Sequence, residues 1–198
     1  MHLNKFSIYV FLLSFAVTSS FAQEKYEIDV SHSNIIFTVR HMVIAKVSGK
    51  FTEFSGTILY DEKDLKKSSV DVRIKSASID TENERRDTHL KSADFFDVGN
   101  HPEITFVSRE IRKQNGGFVA VGDLTMRGIT RQIELPFTIL GIIKDSWGNT
   151  RLGIEAGITL NRFDYDVKWD KKLDDGNLIV SKDVEVKLNI EAIASRKQ

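Results

Sequence analysis

The sequence predicts an all-β fold, an antiparallel up-and-down β-barrel of about eight strands with one short helix. Three observations carry this. Apolar residues recur two apart along nearly all of the chain after residue 22, the period at which successive side chains point to opposite faces of a strand. The alternate positions are polar or charged, as in antiparallel strands with one wet face. Only one segment carries a helix-start signal, and no linker, repeat or low-complexity run divides the chain, so one domain spans residues 23–198.

In chain order, the first strand carries Ile35, Phe37 and Val39 on one face. Val47 to Tyr60 is extended but changes phase, with Phe51 odd and Phe54, Ile58 and Tyr60 even. A β-bulge near Thr52 and Glu53 is expected to absorb that switch. Val70, Val72 and Ile74 alternate with Asp71, Arg73 and Lys75. The helix is expected over Glu82 to Leu90, because Thr81-Glu82-Asn83-Glu84 has capping-box spacing with Thr81 as N-cap. Glu82 and Arg86 stand four apart in the favourable order, and Leu90 with Phe95 and Phe96 pins the helix to the barrel.

Beyond the helix, Ile104 and Phe106 open a strand, and Phe118, Ala120, Gly122 and Leu124 form the next. Ile133, Leu135, Phe137 and Ile139 follow. Pro136 lacks an N–H for the ladder and belongs at a bulge or a gap. Leu152, Ile154, Ala156, Ile158 and Leu160 alternate with Gly153, Glu155, Gly157 and Thr159. The last run is Val184, Val186, Leu188, Ile190 and Ala192. Phe163, Tyr165, Val167 and Trp169 alternate with acidic and basic residues as an ordered strand or lid, so Phe163, Tyr165 and Trp169 are candidates to close one end of a cavity.

Composition narrows the function. Basic and acidic residues both number 28, a balance without the basic field that nucleic acid requires. There is no cysteine, which excludes a disulfide framework, a redox pair, a thiol nucleophile and a cysteine-ligated metal. The scattered His32, His41, His89 and His101 show no metal-ligand spacing, and the acidic stretch from Asp164 to Asp175 departs from a calcium loop at Lys168. Ser31-His32-Ser33 lacks the flanking glycines of a nucleophile elbow. No cofactor is expected. Lys5, the apolar run Phe6 to Val17 and Ser20-Phe21-Ala22 read as an export signal cleaved after Ala22, too short to span a membrane. Periplasmic location is the expectation, with full secretion open.

The residues resemble the lipid- and polyisoprenoid-binding YceI-like family. The stretches that carry this are Asp29-Val30-Ser31-His32-Ser33, Ile35-Ile36-Phe37-Thr38-Val39-Arg40-His41 and Val47-Ser48-Gly49-Lys50-Phe51. They continue with Ala77-Ser78-Ile79-Asp80-Thr81, Arg86-Asp87-Thr88-His89-Leu90, Asp94-Phe95-Phe96-Asp97 and His101-Pro102-Glu103-Ile104-Thr105-Phe106. Gly122-Asp123-Leu124-Thr125-Met126-Arg127-Gly128-Ile129-Thr130 and Asn161-Arg162-Phe163-Asp164 complete the set. Asp166 departs from the pattern, where a Gly is expected. The resemblance implies a lipocalin-like barrel around a long-chain amphiphile, a polyisoprenoid, an isoprenoid quinone or a similar lipid, and no enzymatic activity.

Inward parity nominates residues for the ligand's tail. These are Phe37 and Val39, Val72 and Ile74, and Phe106, then Phe118 and Leu124, Phe137 and Ile139, and finally Ile154, Ala156 and Ile158. Polar residues at element ends, Arg86, His89, Arg127 and Arg162, are candidates for its head group. Two alternatives stay open, a periplasmic enzyme acting on a lipid-like substrate and a ligand-free barrel with a stress-related role. Monomer and homodimer are equally compatible with the sequence.

Overall fold

A computed structural model describes residues 23–195. The expected signal segment and its cleavage after Ala22 lie outside the described residues. The strands are β1 (Glu24–Ile28), β2 (Asn34–His41), β3 (Ala45–Phe51), β4 (Phe54–Tyr60), β5 (Ser69–Lys75) and β6 (Ile79–Asp80). The helix α1 (Glu84–Lys91) precedes β7 (Glu103–Gln114), β8 (Gly117–Met126), β9 (Ile129–Lys144), β10 (Thr150–Asn161) and β11 (Val180–Ala194).

The eight strands β1, β4, β5, β7, β8, β9, β10 and β11 pair in that order, and β1 closes the ring by pairing with β11. Every pairing is antiparallel. β2, β3 and β6 extend the lines of β1, β4 and β5, since β2 pairs with β11 and β3, and β3 pairs with β6. Three strand lines of the barrel are therefore broken.

The breaks lie side by side. A 3-10 turn at Val30–His32, capped by the Asp29 side chain, separates β1 from β2. Another at Ser76–Ser78 separates β5 from β6. Between β3 and β4 the chain spends only Thr52 and Glu53. The Thr52 N–H donates to the Ser78 carbonyl at 3.1 Å, and the Lys75 N–H to the Glu53 carbonyl at 2.9 Å. The phase change from Phe51 to Phe54 is thus a break between strands with different partners, not the β-bulge expected within one strand. The wall bends there, and the freed backbone groups are satisfied across the bend.

The helix also departs from expectation. It starts at Glu84, and its cap is Asn83, whose Oδ1 accepts the Arg86 N–H at 3.0 Å. Thr81 is buried and engaged elsewhere. Its hydroxyl donates to Asp87 Oδ1 at 2.5 Å and accepts from Arg86 Nε at 2.7 Å. Arg86 turns to Thr81, so no ion pair forms with Glu82 among the described contacts. Phe95 is buried, Leu90 and Phe96 pack on the core, and Phe96 meets Phe51 edge-on with centroids 5.9 Å apart.

Packed clusters fill much of the barrel. At one end Tyr26, Ile58, Leu152, Ile154 and Ala192 pack together. In the middle lie Ile35, Phe54, Ile104, Phe106, Ala120 and Leu124. β9 pairs with β10 only as far as Phe137 opposite Ala156, and Pro136 is the first residue past that point. From there towards the helix end β9 pairs with β8 and β10 with β11, leaving a gap where a missing N–H costs nothing.

Candidate functional site

The end of the barrel that carries α1 holds a cavity of about 570 Å³, within the size range of small-molecule sites. One wall is a row of valines. Val47, Val39 and Val184 stand opposite one another across β3, β2 and β11, and all three line the cavity. Phe37, two residues below Val39, faces Gly49 in β3 and Val186 in β11. The helix contributes Arg85, Arg86, His89 and Leu90 to the opposite wall.

The roof is the segment after β10. Asn161 Oδ1 accepts the Phe163 N–H at 3.1 Å and starts a 3-10 turn over Arg162–Tyr165. Asp166 ends it in the left-handed conformation, at φ 59°. That is the geometry glycine favours and aspartate tolerates, so the chain makes this turn without the expected Gly. Tyr165, Val167 and Trp169 line the cavity, whereas Phe163 lies outside it, with the Arg162 guanidinium 4.5 Å from its ring centroid. Trp169 packs on Phe95, and His89 meets both rings edge-on.

Arg162 holds this roof in place. Its buried guanidinium donates to the carbonyls of Ser181 at 2.9 Å, Val167 at 2.6 Å, Trp169 at 2.8 Å and Val180 at 3.0 Å. No carboxylate forms an ion pair with it among the described contacts, and burial pulls its pKa down. Burial likewise pushes the Tyr165 hydroxyl up. Arg86 is bound to Thr81 through Nε and through Nη2, which reaches the Thr81 carbonyl at 2.8 Å. His89 Nε2 is 2.8 Å from Asp94. Arg127 lies outside the cavity and ties the roof to the helix loop, donating to the Ala93 carbonyl at 2.8 Å and to the Asp166 carbonyl.

Of the residues nominated for a tail, Phe37 and Val39 line the cavity. Phe106, Leu124 and Ile154 are buried in the solid part of the barrel. Ile74, Phe137 and Ile139 pack against it from partly buried positions. Phe118 stacks on Phe137, and Ala156 stands opposite Phe137 and Leu188. Val72 and Ile158 are half-buried and lie away from the cavity lining. Arg86, His89 and Arg162 line it, as do Tyr165 and Trp169.

The parity that nominated Phe37 and Val39 continues to His41, which also lines the cavity. Arg85 stands one helical turn before His89 on the same face. Neither has a hydrogen-bond or ion-pair partner among the described contacts. No aspartate or glutamate lines the cavity. The arrangement is a greasy chamber with a rim of Arg and His groups, able to enclose an apolar chain and hold a polar end at the mouth.

At the opposite end, Asp29, His32 and Glu191 bring ligand atoms within 4.8 Å of one another. A guanidinium already fills the role of cation there. Arg151 donates to Asp29 at 3.1 Å, to Asp145 at 2.7 Å and to Glu191. Asp29 and Asp145 are both held below the usual carboxylate range, Asp29 first by its bond to His32 and Asp145 first by its bond to Arg151.

Comparison with known proteins agrees with this architecture. The YceI-like domain matches residues 26–192. A UPF0312 protein of Pectobacterium atrosepticum is 32% identical over 94% of this chain and 94% of its own. The YceI protein of Escherichia coli is 34% identical over 80% of this chain and 83% of its own. Among solved structures, Burkholderia cenocepacia BcnA superposes with a TM-score of 0.73 at 21% identity, covering 83% of this chain and 98% of that one. A polyisoprenoid binding domain from Saccharophagus degradans, implicated in plant cell wall breakdown, gives 0.65 at 15% identity over 86% and 98%. At those identities the likeness is one of fold. With its domain matched from Tyr26 to Ala192 and its relatives alike over most of their length, this chain belongs to the YceI-like family.

Proposed function

We propose that the protein is an exported, periplasmic binding protein that encloses the tail of a long-chain amphiphile, such as a polyisoprenoid or isoprenoid quinone, for carriage or sequestration. The observation that carries this reading is the chamber of about 570 Å³ between the valine row, α1 and the Arg162 roof. An apolar chain gains roughly 0.8 kcal/mol for each CH₂ removed from water there, so few polar contacts are needed. The polyisoprenoid binding domain of Saccharophagus degradans shares the fold, which supports the choice of ligand class.

The chamber occupies one end of the barrel, so part of a very long chain stays at the mouth or outside. Binding rather than catalysis is the better reading, because the lining is mostly apolar and the buried Arg162 is committed to backbone carbonyls. The test is organic extraction and mass spectrometry of protein purified from the host's own envelope. The reading expects one amphiphile recovered near equimolar amounts. Protein that arrives free of lipid, and takes up none when delipidated and offered an isoprenoid quinone, would overturn it.

A further inference from the structure

The turn between β2 and β3 carries a feature that the cavity does not require. Met42 and Val43 both adopt left-handed backbone, at φ 49° and 66°, a region unfavourable for a β-branched residue and ordinarily given to Gly or Asn. The side chains held there face water. Met42 is 41% exposed, Val43 51% and the adjoining Ile44 89%. Three consecutive apolar residues on a strained, projecting tip cost stability and solubility unless something covers them.

The tip stands at the mouth of the cavity. His41 and Val47, at its two roots, line the chamber, and the Met42 N–H donates at 2.8 Å to the carbonyl of Ile179, another lining residue. Along the β2–β3 hairpin itself the charge is basic. From Arg40 to Thr52 the chain carries Arg40, Lys46 and Lys50 and no acidic residue. The neighbouring segment brings Lys171, whose carbonyl accepts the Ile179 N–H at 2.9 Å. Arg85 and Arg86 face the same mouth. Lys46 and Lys50 are paired, with Glu185 and Asp80, whereas Arg40 and Arg85 meet no carboxylate among the described contacts. The acidic residues nearby are Glu185 and Asp80, engaged by Lys46 and Lys50, and Asp170, Asp174, Asp175 and Asp183 on the segments to either side of Ile179.

We propose that the barrel mouth docks on an anionic bilayer surface, with Met42, Val43 and Ile44 entering the interface and the surrounding Arg and Lys side chains meeting the head groups. An apolar tip inside a basic collar is the arrangement that binds such an interface. Docked in this way, the cavity opens onto the membrane, and an amphiphile passes between the two without crossing water.

The purified protein is mixed with vesicles of phosphatidylglycerol and phosphatidylethanolamine in equal parts, and with vesicles of phosphatidylcholine alone, and bound protein is measured by sedimentation. Binding is expected to the anionic vesicles and to be much weaker to the neutral ones. Ile44→Ser should reduce partitioning about tenfold, the scale expected for withholding one large aliphatic side chain. The double variant Met42→Asn with Val43→Gly should also detach, while its unfolding midpoint holds or rises because the strained turn is relieved. Trp147→Ser, on the turn at the other end of β10, should leave binding unchanged. Failure of the wild type to bind, equal binding to both vesicles, tip variants that bind like wild type, or loss of binding in Trp147→Ser would each overturn the proposal. Docking is separable from cargo: lipid in the organic extract together with no vesicle binding refutes the docking alone.

Discussion

The ring of Phe37 lies against Gly49 on the neighbouring strand, so closely that a Cβ at Gly49 would come within 2.4 Å of Phe37 Cζ and 2.6 Å of Thr81 Cγ2. The absent side chain sets how far the aromatic ring withdraws from the chamber. Gly49→Ala should drive Phe37 into the cavity, costing about 1–3 kcal/mol through overpacking and reducing lipid uptake. Adding Phe37→Leu should recover much of both. Denaturant midpoints and lipid content of the single and double variants check this, and equal uptake by Gly49→Ala and wild type would refute it.

Thr81 and Asn83 separate two kinds of hydroxyl and amide role at the start of α1. Asn83→Ala removes the cap and should cost about 1 kcal/mol. Thr81→Ala breaks a buried contact with both Asp87 and Arg86 and should cost more, on the order of 2–3 kcal/mol. Reversed ranking in urea unfolding would return the capping role to Thr81.

Which parts of this were readable in the sequence follows from what parity encodes. Alternation identified the inward faces of Phe37, Val39, Ile154 and Leu124 correctly, because one side of each strand is buried. It does not encode height along the barrel. The adjacent breaks at Val30–His32, Thr52–Glu53 and Ser76–Ser78, together with the stagger of β9, decide which inward residues meet the chamber and which meet the core. That information resides in pairings far apart in the chain, such as Leu152 with Ala192. Thr81 matches a capping box by spacing, but the side chains of Arg86 and Asp87 in the following helix engage its hydroxyl, and Asn83 takes the cap. His41 and Arg85 had legible signals, continued parity and helical spacing.

Arg162 replaced by Met leaves four carbonyls without the donor that satisfies them. The expected loss is on the order of 3 kcal/mol, with faster amide exchange over residues 163–181 and lipid lost more readily. Exchange confined to its wild-type rate in that segment would show that the roof is held otherwise.

The Arg151 cluster should make the protein acid-labile. Asp29 and Asp145 have folded-state pKa values below their unfolded ones. The stability they confer is therefore present above the ordinary carboxylate pKa of about 3.9 and is lost as pH falls through the lower, folded values. Thermal midpoints should be level near neutrality and fall below about pH 4. Arg151→Gln should lower the midpoint at neutral pH and flatten this acid dependence. An unchanged profile would show that the guanidinium does not depress these carboxylates.

The chamber's role as the seat of an apolar chain is tested most directly at Val39, the middle of the valine row. The decisive measurement is the lipid retained per mole of Val39→Trp and wild-type protein, purified side by side, with the unfolding midpoint of each after delipidation. An indole placed in an open chamber fills space that a chain would occupy, so retained lipid should fall severalfold while the delipidated midpoint holds or rises. Undiminished lipid in a Val39→Trp protein destabilised by the 1–3 kcal/mol typical of an overfilled core would contradict the account.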